Sequence, residues 1–139
     1  LLRLPGHTIT LGDNERQSME RITSMLAASP LSPPTLSEMA RETGIGRAKL
    51  IGFMRLLERT RSVARVTEDL YFLQDSIEGV ILTLRAGLSE RDEITPAMFR
   101  DRFNTTRKYA IPLLEYLDRE GVTVRTGDVR RLKAVEPLA

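Results

Sequence analysis

One pattern written twice predicts the fold class: mainly α with small β-hairpin wings, arranged as tandem winged-helix (helix-turn-helix) domains. Three observations carry that expectation. The chain has 139 residues, which suits one ordinary domain or two small ones. A shift of 60 residues lays Thr35 on Thr95, Arg47 on Arg107, Ile51 on Ile111, Leu57 on Leu117 and Arg59 on Arg119. A shift of 59 then lays Val63 on Val122, Thr67 on Thr126, Asp69 on Asp128 and Leu73 on Leu132, so a one-residue deletion between Arg61 and Val63 joins the registers. Finally, Leu50, Phe53, Met54 and Leu57 in the first copy match Ala110, Leu113, Leu114 and Leu117 in the second. Both sets follow the i, i+3, i+4, i+7 spacing that makes one apolar stripe on a helix.

The remaining elements follow in order. A first helix is expected over 14–28, with Met19, Ile22 and Leu26 inward and Asp13 or Asn14 as its cap. Its counterpart is expected over 75–87, with Ile77, Ile81 and Leu84 inward. The second helices start after Thr35 and Thr95. Glu38 stands three residues beyond Thr35, the spacing of a capping box. Pro96 stands at the first helical position, where its missing N–H costs nothing. Gly44-Ile45-Gly46 reads as the tight turn before the third helix. Each third helix is followed by two short strand-like runs. In the second copy Thr126-Gly127-Asp128 separates them, and Gly127 allows the positive φ that a hairpin turn needs. Pro30, Pro33 and Pro34 mark a stiff loop inside the first copy. Pro112 falls inside the last helix, removes the N–H bond to the Lys108 carbonyl, and predicts a kink or widened turn there. The domain bounds are 12–73 and 74–139, with 1–11 the end of a preceding winged-helix unit. A 60-residue domain buries only about 60% of its unfolded surface, so the copies are expected to pack end to end.

Composition excludes several functions. With no cysteine, neither disulfides nor thiolate metal sites can form. His7 is the only histidine, which removes His-pair catalysis and two-His metal sites. No G-x-x-x-x-G-K-[ST] loop is present. Glu115, Asp118 and Glu120 lie on or just after one helix, where salt bridging explains them better than paired acid–base chemistry. No cofactor, metal or catalytic group is expected, and no membrane span, since no run of about 18 apolar residues occurs.

Charge points to a polyanion. Of 21 cationic residues only Lys49, Lys108 and Lys133 are lysines. Arginine presents a planar donor fork suited to phosphates and base edges, although a genome favouring arginine codons would give the same surplus. Placement says more. From Ile94 to Lys133 there are nine positive and five negative side chains, whereas 74–93 has two positive and five negative. A local basic face steers an anionic partner even when net charge is only +2.

The candidate nucleic-acid-binding residues cluster at the start of the last helix and its wing. Thr105 and Thr106 can cap that helix, whose free N–H groups and dipole favour phosphate. Arg107, Lys108 and Tyr109 follow, Arg102 lies one turn earlier, and the wing adds Arg125, Arg130 and Arg131. Tyr109 either stacks on an unpaired base or packs against the wing. Arg130 and Arg131 alternate along a strand, so they cannot both face the ligand.

These same residues carry a resemblance. Arg100-Asp101-Arg102-Phe103, the run from Thr106 to Asp118, and Thr126-Gly127-Asp128-Val129-Arg130 are similar to the last winged helix of the bacterial selenocysteine-specific elongation factor family. Pro33-Pro34-Thr35-Leu36-Ser37-Glu38 resembles that family's third winged helix. Leu4-Pro5-Gly6-His7 resembles the junction leading into it. The first copy is less distinctive, with Gly46-Arg47-Ala48 in place of Thr106-Arg107-Lys108.

The resemblance implies a cytoplasmic, monomeric module without enzymatic activity. The family's GTP-binding body is absent from these residues. The second copy would bind an RNA stem-loop, the SECIS hairpin of selenoprotein mRNA. The first would act as a spacer, with the ribosome as a further partner. Two rivals stand beside it: a duplex-DNA-binding regulator, which would insert both third helices into major grooves, and a protein-interaction scaffold using Ile111 and Pro112.

Overall fold

The computed structural model describes residues 12–134. Within them the order is α1 (Asp13–Ala28), α2 (Leu36–Thr43), α3 (Arg47–Arg59), β1 (Val63–Thr67), β2 (Leu70–Leu73), α4 (Gln74–Gly87), α5 (Pro96–Phe103), α6 (Arg107–Arg119), β3 (Thr123–Thr126) and β4 (Val129–Leu132). The winged-helix architecture is thus present, and each hairpin is antiparallel. The expected end of a preceding winged-helix unit, residues 1–11, lies outside the described residues.

Local chemistry explains most boundaries. The Thr35 hydroxyl accepts from the Glu38 amide at 3.1 Å and the Glu38 carboxylate accepts from the Thr35 amide at 2.8 Å, a complete capping box. Thr95 likewise accepts from the Met98 amide at 3.1 Å, with Pro96 in the first turn. Gly44 closes α2 at φ 75°, where a Cβ would strain the backbone. The start of α1 differs from expectation. Its cap is Gly12, without a side-chain bond, and Asp13 lies inside the first turn with Glu15, where carboxylates favour the positive helix end. Pro112 does not interrupt α6, which runs continuously from Arg107 to Arg119.

The repeat has a different seam from the one the sequence suggests. Arg61 and Gly121 both take positive φ, and the amides of Ser62 and Val122 bond back to the carbonyls of Leu57 and Leu117. The shift of 60 therefore continues into the hairpin. The extra residue sits at a bulge between Arg65 and Thr67, which makes Val63 match Thr123 and Arg65 match Arg125.

The first hairpin joins the two units. Strand alternation puts Val63 and Tyr71 against the α1–α3 core, and Ala64, Phe72 and Leu70 against α4 and α6. Phe72 is fully buried there beside Ile77, Leu84 and Leu113. Burying each large apolar side chain contributes about 1.5–3 kcal/mol, so the units share a core. α4 begins on the residue after β2, with no linker.

Candidate nucleic-acid interface

The turn between α5 and α6 builds the site. Asn104 ends α5 in the left-handed conformation at φ 52°. Thr106 then caps α6 through its carbonyl, which accepts from Ala110 at 2.8 Å and Tyr109 at 3.1 Å, while no side chain caps the helix. The leading N–H groups of α6 thus have no side-chain acceptor, and Thr106, Arg107 and Lys108 at that helix start are exposed.

Three of the expected residues meet at this helix start. Arg107 is exposed and forms no ion pair or side-chain hydrogen bond among the described residues. Lys108 extends its ammonium 4.0 Å from Glu38 of the first unit and 5.2 Å from the Tyr109 ring centroid. Tyr109 is half-buried. It lines an open cleft of about 630 Å³ with Met25, Ser32, Pro34 and Glu38 of the first unit, and it also packs on the core that contains α6 and its wing.

The other expected residues divide. Arg102 lays its guanidinium against Gly87 in the last turn of α4, where a helix dipole favours a cation. Arg125 is exposed at the wing tip and donates to the Gly127 carbonyl at 2.8 Å. Arg131 points outward with its side chain 42% exposed, held 3.2 Å from Glu93. Two residues leave the surface set. Arg130 is 3% exposed; its guanidinium donates to Asp118 at 2.9 Å, and Asp118 also accepts from the Thr123 hydroxyl at 2.5 Å. It cannot reach a ligand while holding that buried pair. Thr105 is 9% exposed and donates to the Leu31 carbonyl of the first unit at 2.8 Å. It caps nothing.

The sequence reading missed both of these roles. A signal existed for Arg130: along a strand it shares a face with Leu132, an apolar residue that the structure buries. No comparable signal marked Glu38 or Leu31 as neighbours of α6, because those contacts span the two units. The burial of Tyr71 raises its phenol pKa, with Arg65, Arg55 and Arg47 opposing the shift. The first unit therefore carries cations around its own α3 and wing as well.

The free arginine at the last helix start can be set beside known proteins. A family model described as "Elongation factor SelB, winged helix" matches residues 87–132. The chain is 32% identical over 133 residues to the selenocysteine-specific elongation factor of Desulfomicrobium baculatum, covering 96% of this chain and 21% of that protein. It is 26% identical over 132 residues to that of Escherichia coli K12, again covering 21% of the relative. The chain therefore spans about a fifth of the length of these curated relatives. Among solved structures, the mRNA-binding domain of elongation factor SelB from E. coli in complex with SECIS RNA superposes with a TM-score of 0.72 at 27% identity. That match covers 88% of this chain and all of that one. A bacterial selenocysteine-specific elongation factor EF-Sec gives a TM-score of 0.69 at 27% identity, over 87% of this chain and 19% of that one. The resemblance read from Arg107 and its neighbours thus extends through both units: residues 87–132 are a winged helix of the elongation factor SelB family, and the two units together are similar to winged-helix segments of selenocysteine-specific elongation factors.

Proposed function

We propose that this chain is an mRNA-hairpin-binding module: residues 74–139 grip a SECIS-type stem-loop and residues 12–73 serve as the spacer unit. In a selenocysteine-specific factor such a grip tethers the factor to selenoprotein mRNA for UGA recoding. GTP hydrolysis would belong to a body outside these residues. The observation that carries the reading is Arg107. It stands exposed, without a protein partner among the described residues, at a helix start that no side chain caps. Lys108 and Tyr109 stand next to it. The E. coli mRNA-binding domain seen with SECIS RNA has the same architecture.

Physical constraints shape the mode. The A-form major groove is too deep and narrow for a recognition helix, so recognition falls on loops and bulges where bases are splayed out. Thr106, Arg107 and Lys108 would meet the backbone near the loop, and Tyr109 would offer its accessible edge to an unpaired base. Arg125 and Arg131 would extend the basic surface along the wing. Thr105 and Arg130 support this surface from beneath.

One titration tests the reading: the chain against an RNA stem-loop, the same stem with its loop replaced, and duplex DNA of equal length. The expected result is tight binding of the cognate stem-loop, loss on loop replacement, and weak, salt-sensitive binding of DNA. Equal affinity for all three would turn the reading toward duplex binding. No binding to any of them would leave a protein scaffold.

A further inference from the structure

The contact between the units lies under the candidate RNA surface. Leu31 reaches from the α1–α2 loop onto the second core, and Pro33 beside it is buried. Thr105 stands on the other side, one residue before the cap of α6. Its hydroxyl donates to the Leu31 carbonyl at 2.8 Å and lies 3.2 Å from the Ser32 hydroxyl. The loop is itself braced, since the Ser32 amide donates to the Ser29 carbonyl at 3.1 Å. The repeat sharpens the point. The position equivalent to Thr105 in the first unit is Ile45, an apolar residue packed on its own core. A buried hydroxyl replaces it where a neighbouring carbonyl needs a donor.

Building on the RNA-hairpin reading, we propose that Thr105 is a positioning residue through which the first unit sets the direction of the RNA-binding helix start. The loop at 29–34 is braced within the first unit by the buried Pro33 and the Ser32–Ser29 bond, and Thr105 fixes the α5–α6 turn to that loop. Arg107 and Lys108 follow within three residues, so their orientation depends on this anchor. A recognition geometry loosened by as little as 1 Å loses much of its affinity. The first unit is then part of the recognition apparatus without touching the RNA through this loop.

The test uses the whole chain with Thr105→Val, which keeps shape and removes the donor, and Thr105→Ser, which keeps the donor. Stem-loop affinity should fall roughly tenfold in Thr105→Val and recover in Thr105→Ser. The slope of log affinity against log salt should stay at its parental value in Thr105→Val, because Thr105 meets no phosphate. Arg107→Ala should lower that slope by about one. In parallel, spin labels at Glu20→Cys and Asp128→Cys, in a chain otherwise free of cysteine, report the distance between units. That distribution should broaden in Thr105→Val and narrow again in Thr105→Ser. Unchanged affinity and unchanged distances in Thr105→Val would overturn the proposal, as would a slope lowered by about one, which would make Thr105 a direct contact. If Thr105→Val does not fold, Ser32→Ala applies the same criteria from the first unit, with a smaller expected loss. Should the parental chain bind no stem-loop, the RNA reading fails, while the label distances still decide whether Thr105 anchors the units.

Discussion

Two arginines occupy the same offset in the two units and lead different lives. Arg47 opens α3; its guanidinium donates to Asp69 at 3.0 Å and to Ser37 at 3.1 Å. Arg107 opens α6 with neither contact. Position 97, the match of Ser37, is Ala, so the hydroxyl is gone. Asp128, the match of Asp69, forms no ion pair with Arg107. A second difference separates the wings. In the first unit the Leu36 amide donates to the Asp69 carbonyl at 2.9 Å, tying the wing turn to α2. Pro96 stands at the matching place and has no N–H. The second wing is held elsewhere, by a reciprocal pair between Ile94 and Arg130 at 2.7 and 3.2 Å. Pro34 forbids that pair in the first unit. Two prolines thus decide where each wing is attached. The teaching is that a shared arginine becomes a clamp or a free cation according to a few neighbours.

The largest effect should come from cutting the second wing's own anchor. Arg130 is nearly buried and Asp118 is its charged partner. Asp118→Ala leaves a guanidinium unpaired in the interior, and breaking such a pair costs about 3–5 kcal/mol. The matching pair in the first unit is Glu58 and Tyr71, where no ion pair forms, so Glu58→Ala should cost under about 1 kcal/mol. Urea unfolding of the two variants measures the difference. Similar losses would show that the wings are anchored alike and would break the comparison.

A middle-sized effect separates the two arginines on RNA. Arg107→Ala should weaken stem-loop binding by roughly 1.5–3 kcal/mol, the size of a charged hydrogen bond to phosphate, with little change in folding stability. Arg47→Ala should leave RNA affinity nearly unchanged and cost under about 1 kcal/mol of stability, since its ion pair is half exposed. Binding isotherms and unfolding curves on the same two variants check both halves. A large affinity loss in Arg47→Ala would put both helix starts in the binding site.

These contrasts also mark what could be read in the sequence. The caps at Thr35 and Thr95, the turn at Gly44, the α3 and α6 stripes and the Gly127 turn rest on local chemistry within a few residues, and the structure places them where the residues point. Contacts between elements were less accessible. The bulge at Arg65–Thr67 moved the seam of the repeat because pairing across a hairpin, not sequence identity, sets register. Thr105 reads as a cap by type and position, yet its partner lies 74 residues away. Arg130 reads as a free cation by composition, yet strand alternation puts it inside. Leu57 and Met19, expected in the core, are only half-buried at its margin.

The smallest effect concerns a helix cap that touches both units. Glu38 completes the box at α2, whereas Met98 at the same place in α5 cannot. The Thr35 amide bond holds the Glu38 carboxyl below its ordinary pKa, burial opposes this, and Lys108 of the second unit adds to the lowering. A carboxyl with a lowered folded-state pKa stabilises the protein above its unfolded pKa. That contribution disappears as pH falls through the folded value. Glu38→Gln keeps an acceptor for the Thr35 amide and removes the charge. The difference in stability between parent and variant should therefore be small at neutral pH, under about 1 kcal/mol for a side chain this exposed, and should vanish at acid pH. The Lys108 share of it should be lost in a Lys108→Ala background, because that part of the cap exists only where the units meet. A difference that persists at acid pH would mean that Glu38 acts by shape and hydrogen bonding alone, and the charge link between the two units would drop out of the comparison.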